Sequence, residues 1–173
     1  MTHDSTRRLG SLLSSSRVVS RAQTGLPEKF MSMVQGQDVV RCGEAHMAPE
    51  FPNKAIFVVS FALVGLVPPF SPFFYDVLHF YGIQMLHLGP NSIFILAIFA
   101  HLCEMFVRVM SMLPLFRHFF MLCQLKAPAT SGGCALQLRS QRSADFIPLS
   151  LRKKWDNWKA DWFYTRLPNY PRL

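Results

Sequence analysis

The chain reads as an α+β fold, mainly a helical bundle followed by a small antiparallel β element, and three features lead there. Apolar residues recur at helical spacing between Asn53 and Leu125, with proline and glycine where helices should end. A loop rich in Pro, Ser and Gly follows from Ala127 to Gly133, and beyond it the apolar spacing switches from helical to alternating. Half of the 173 residues are hydrophobic (50%), enough to fill the core of one domain. The expected division is a Ser/Arg-rich leader and linker without regular structure over 1–50, a helical core over 51–126, and a basic, aromatic β element of the same domain over 127–173.

Met1 to Gly25 is rich in Ser and Arg and nearly free of acids, a composition that permits an organelle transit peptide and equally fits an unstructured leader. No apolar core follows its positive charges, so it is not a secretory signal. Met31 to Phe51 mixes Gly36, Gly43 and Pro49 with polar residues and keeps no period, as a linker does.

The elements follow in order. Ala55 to Val67 is almost continuously apolar and stops at Pro68-Pro69, which predicts a buried helix, with a strand as the alternative for its β-branched opening IFVVS. A second helix has Ser71 to cap it, Pro72 in its first turn, and Gly82 to end it in the left-handed conformation. Phe73, Phe74, Val77, Leu78 and Tyr81 form its core stripe, and Asp76 and His79 a surface pair. A third helix is expected to run from a cap at Asn91 or Ser92 to about Val109, apolar on most sides. Ile93 to Val107 is fifteen residues and holds His101 and Glu104, which argues against a membrane span. Glu104 and Arg108 have the spacing of a helix-surface ion pair.

A fourth helix is expected over Ser111 to Leu125, with Pro114 in its first turn and Leu115, Phe116, Phe119, Leu122 and Cys123 inward. Cys134 to Arg139, Ala144 to Ile147 and Trp162 to Tyr164 read as short strands, with a basic turn or helix at Arg152 to Lys159. If that last segment is helical, Trp155, Trp158 and Trp162 make one packed stripe.

Charge is concentrated at the ends. Met1 to Phe30 has five Lys/Arg against two acids, and Arg139 to Leu173 has eight against three, whereas Met31 to Leu138 balances five against five. Basic residues placed this way suit contact with phosphates or an acidic partner. The candidate contacts are Arg139, Arg142, Arg152, Lys153, Lys154 and Lys159, interleaved with Trp155 and Trp158 as in single-stranded nucleic-acid binders.

Other chemistries find no support. Cys42, Cys103, Cys123 and Cys134 are scattered, without the close pairs a zinc site needs, and are expected to be reduced thiols. His3, His46, His79, His87, His101 and His118 show no i, i+4 metal spacing, and neither a phosphate-binding loop nor a nucleophile elbow occurs. No catalytic, cofactor or metal residue is therefore assigned, no small-molecule substrate is evident, and no enzyme activity is expected.

Several blocks recur together: SPFFYDVLHFYG from Ser71, HLGPNSI from His87, LCE at Leu102 to Glu104, LFRHFF from Leu115, and Gly132-Gly133, Leu138-Arg139 and WKADWFY from Trp158. In this order they resemble the plant gypsy-type transposon (transposase) domain family, carried on retrotransposon-derived reading frames, over roughly Ile56 to Arg166. The chain departs from the family pattern at Phe116, where Trp is frequent, and at Phe61 to Val67, which is more apolar than usual. The resemblance implies an element-derived domain and carries over no activity and no functional residues. Strand transfer would need three carboxylates converging on two metal ions, and no acids here sit in that context. The expectation is a non-catalytic module, nuclear rather than organellar, contacting nucleic acid or another element-encoded protein. The alternatives are a relic or truncated mobile-element frame, whose leader is a read-through start, or a membrane or organelle protein.

Overall fold

The computed structural model describes Arg17 and residues 55–125 and 131–165. The leader, linker and transit-peptide readings over 1–50, Cys42 among them, lie outside the described residues apart from Arg17.

The first described element is a strand, β1 (Ala55–Val58). It pairs antiparallel with the last, β4 (Trp162–Thr165), Ala55 opposite Thr165 and Val58 opposite Trp162. This corrects the expected helix from Ala55 to Val67: only α1 (Val59–Leu63) is helical. The physical reason is the partner, because β-branched and aromatic residues on both strands bury each other, and Phe57 meets Phe163 across the pair at 5.7 Å between ring centroids.

Helix α2 (Pro72–Tyr81) forms as expected. The Ser71 hydroxyl accepts the Phe74 N–H at 3.3 Å, Pro72 occupies the first turn, and Gly82 leaves at φ 61°. Phe73, Phe74, Val77 and Leu78 are buried, while Asp76 and His79 are exposed and not joined as an ion pair.

After a 3-10 turn at Met85–His87 comes α3 (Pro90–His101), which continues as a π-helical turn over Leu102–Val107. Gly89, not Asn91 or Ser92, is its N-cap. The two polar side chains instead reach the C-terminal part of the chain, Ser92 Oγ accepting the Leu136 N–H at 3.0 Å. The wider π winding moves residues four apart out of alignment. Glu104 and Arg108 accordingly form no pair: Glu104 accepts from the Ser111 hydroxyl at 2.8 Å, and Arg108 leaves the helix at φ 58°. Counted from Pro90, the helical stretch is 18 residues with mean hydropathy 1.6, long and apolar enough to cross a membrane by length and composition alone. The fifteen-residue length argument therefore falls, although Ile93, Ile95, Leu96, Phe99 and Cys103 face the protein core.

The expected helix over Ser111 to Leu125 is also two elements, α4 (Leu113–Phe119) and β2 (Phe120–Gln124). β2 pairs antiparallel with β3 (Cys134–Leu138), Phe120 opposite Leu138 and Gln124 opposite Cys134. The ladder hydrogen bonds available from β3 outcompete continuation of the helix. Ala144 to Ile147 is not a strand: the Asp145 N–H closes a turn onto Arg142 O at 3.1 Å, and Phe146 packs on Phe119 and Phe120 at 5.1 and 5.0 Å.

The class is mixed α+β, with four α-helices and two separate two-stranded antiparallel sheets among the described residues. Among the described residues the order differs from a bundle followed by a β element, since β1 precedes the four helices and β2 sits between α4 and the segment read from the sequence as a loop. Each sheet takes one strand from before that loop and one from after it. A run of aromatic rings joins α2, α3, α4 and β2: Phe99 contacts Phe73, Phe116 and Phe120 at 5.4, 5.1 and 6.3 Å, and Phe116 stacks on Phe120 at 4.9 Å.

Candidate nucleic-acid interface

The six candidate cations follow β3 in sequence, and the structure holds them in different ways. Arg139, directly after β3, donates its Nε–H to the Arg117 backbone carbonyl at 3.0 Å. Arg142 lies 3.4 Å from Asp145, an exposed pair of little energetic weight. Arg152, Lys153 and Lys154 are exposed. Of these, Arg152 lies over the Trp155 ring at 4.9 Å and Lys154 pairs with Asp156 at 2.7 Å, also at the surface. Lys153 has no carboxylate within salt-bridge distance among the described residues. Lys159 is half-buried, donates to the Ser131 backbone carbonyl and sits 5.2 Å from the Trp158 ring.

Residues 152–161 form turns rather than a helix, because Asn157 adopts φ 50° and the Ala160 N–H folds back onto its carbonyl at 2.9 Å. The tryptophans nevertheless pack. Trp162 is fully buried in β4, and Trp158 stacks on Phe61 at 5.5 Å. Trp155 is half-buried and donates its indole N–H to Asn91 Oδ1 at 2.8 Å. Asn91 Nδ2 in turn donates to the Arg152 carbonyl at 2.8 Å, so the first turn of α3 sets where the 152–154 run emerges. These contacts engage the tryptophans within the fold instead of presenting their faces for base stacking.

Two further arginine neighbours were not read from the sequence. Arg117 of α4 lies 3.9 Å over the ring of Phe80, which is 45% exposed at the end of α2. Tyr81 beside it is half-buried; burial raises its phenol pKa against the opposing pull of Arg117 and Arg139. The available signal was Phe80 itself, an aromatic outside the buried stripe of its helix.

Away from these cations, a cleft of about 330 Å³ is lined by Pro69, Phe70, Phe74 and Leu96, with Ser71, His101 and Glu104 as its polar side chains. No hydrogen bond links the three: Ser71 caps α2, Glu104 holds Ser111, and the His101 ring meets Phe106 at 5.7 Å. Cys103 and Cys134 are buried and free, and half-buried Cys123 donates its thiol to Gln137 Oε1 at 3.3 Å. Burial and then the Glu104 charge push the Cys103 thiol pKa up. Among the described residues no three His, Cys, Asp or Glu side chains gather as a group that could hold a metal ion.

Residues 56–124 match the family model described as "Putative gypsy type transposon". No curated protein and no solved structure matches the chain. The matched region begins where the resemblance begins and ends with β2, so β3, β4 and all six candidate cations lie beyond it. Over residues 56–124, from β1 to β2, the chain is thus similar to the gypsy-type transposon family.

Proposed function

We propose that the protein is a non-catalytic interaction module of a transposable element that binds nucleic acid weakly and with little sequence preference, through Arg139, Arg142, Arg152, Lys153, Lys154 and Lys159. The observation that carries this reading is the exposed Arg152-Lys153-Lys154 run, whose backbone is anchored to α3 through Asn91. Three adjacent cations on a fixed backbone lose less freedom on meeting a phosphate chain than the same cations on a loose tail. The non-catalytic part is supported by the local engagement of four described carboxylates: Asp145, Asp156 and Asp161 are paired with cations and Glu104 with Ser111.

The test is titration of labelled single- and double-stranded oligonucleotides at two salt concentrations. Single-strand affinity should fall with a log-log salt slope of about 0.7 per phosphate contact, and R152A/K153A/K154A should lower that slope by about 2. Absence of binding at low salt, or an unchanged slope in the triple variant, rejects the reading.

A further inference from the structure

The Arg139 side chain reaches the backbone of Arg117, and no salt bridge engages either arginine among the described residues. The Arg139 Nε–H is held by the Arg117 carbonyl at 3.0 Å, and its backbone N–H donates to Phe119 O at 2.7 Å, so Arg139 is tied through both its side chain and its backbone to the last turn of α4. The Arg117 guanidinium is placed on the Phe80 ring at 3.9 Å. Among the described residues neither arginine has a carboxylate within 4 Å, although Asp76 stands one turn before Phe80 on α2. Two fixed cations near each other repel, and an oxyanion between them removes that repulsion while matching the planar fork of each guanidinium. A guanidinium lying on an aromatic ring still presents its N–H edges outward.

We propose that Arg117, Arg139 and Tyr81 form a phosphate-binding notch where α2, α4 and the end of β3 meet, with Phe80 as the platform that orients Arg117. The ligand chemistry is a phosphate group, and its source is a backbone phosphodiester of a bound nucleic-acid strand, which rests on the reading proposed above. The Tyr81 ring meets Phe80 at 5.0 Å between centroids, and its phenol, protonated at neutral pH as any phenol is, can donate to an anion instead of repelling it. The notch includes Arg139 and therefore extends the basic strip back onto the matched region, to Arg117 and Tyr81.

The full chain can be titrated with inorganic phosphate and, separately, with a labelled single-stranded oligonucleotide, as wild type, R117Q/R139Q and Y81F. Phosphate should shift the Arg117 and Arg139 Nε–H NMR signals in a saturable way, and R117Q/R139Q should abolish the saturable response. The same double variant should weaken oligonucleotide binding about tenfold at low salt and lower the salt slope by about 1.4, two contacts' worth for a single strand. Y81F keeps the charge and the ring, so it tests the notch even if the double variant does not fold; a threefold or greater loss of phosphate affinity is expected. No phosphate-dependent shift of the two arginine signals overturns the notch. Oligonucleotide binding that is insensitive to both variants but weakened by R152A/K153A/K154A also overturns it and leaves the nucleic-acid reading standing. Phosphate binding that is lost in the variants, with no oligonucleotide bound, supports the notch while rejecting the strand as its source.

Discussion

Trp155 donates its indole N–H to the side-chain oxygen of Asn91 at 2.8 Å, joining a turn near the C-terminus to the first turn of a helix 64 residues earlier. Asn91 also donates to the Arg152 carbonyl, so one amide fixes both sides of the basic turn. Replacing Asn91 by Ala should cost about 1–3 kcal/mol, since a part-buried indole N–H and a carbonyl both lose their partner. Urea unfolding followed by tryptophan fluorescence measures it; a midpoint equal to wild type would show that the bridge adds nothing to stability.

Phe99 touches three aromatic neighbours and is 1% exposed. Phe99→Ala should destabilise the protein by about 3–5 kcal/mol through lost transfer energy and a residual cavity. Phe106, on the π-helical turn of the same stretch, is 71% exposed, and Phe106→Ala should change stability by no more than about 0.5 kcal/mol. Paired denaturant titrations check the contrast, and similar shifts in the two variants would mean that the core is misplaced.

Gly132 sits at φ 70°, and a Cβ there would come within 2.7 Å of the Trp158 ring. Gly132→Ala should cost about 1–2 kcal/mol from the left-handed backbone alone, and displacement of Trp158 from Phe61 should add to it. Calorimetry with tryptophan fluorescence reads both effects. Unchanged emission together with an unchanged melting temperature would contradict the close approach.

The raised Cys103 thiol pKa predicts slow alkylation. Less thiolate is present at a given pH than for a free cysteine, and burial limits access as well. At pH 8, iodoacetamide should modify Cys123, which is less buried, well before Cys103. Glu104→Gln removes the secondary charge and should quicken Cys103 labelling modestly, by less than tenfold. Peptide mapping by mass spectrometry follows each site; equal rates at Cys103 and Cys123 would contradict the assignment.

Alkaline carbonate should release the protein from membranes, because Ile93, Leu96 and Phe99 of the apolar helix face the core. Retention in the pellet until detergent is added would instead make Pro90–Val107 a span.

Local signals decided helix α2 completely: a serine that can accept, a proline that needs no N–H, a glycine that tolerates positive φ, and a stripe of apolar residues between them. The similarity to the gypsy-type transposon family over residues 56–124 was legible too, since its blocks are short, ordered strings of residues. β3 and β4 could be read from alternation and aromatic content alone. Their partners could not. Ala55 to Val58 and Phe120 to Gln124 are apolar runs compatible with helix or strand, and it is β4, far along the chain, and β3, just beyond residues 125–133, that supply the ladder bonds that make them strands. The same nonlocality governs the candidate interface: charge could be counted along the chain, but Asn91 beneath Arg152, and Arg117 beside Arg139, meet only because residues 131–165 pack back onto residues 55–125.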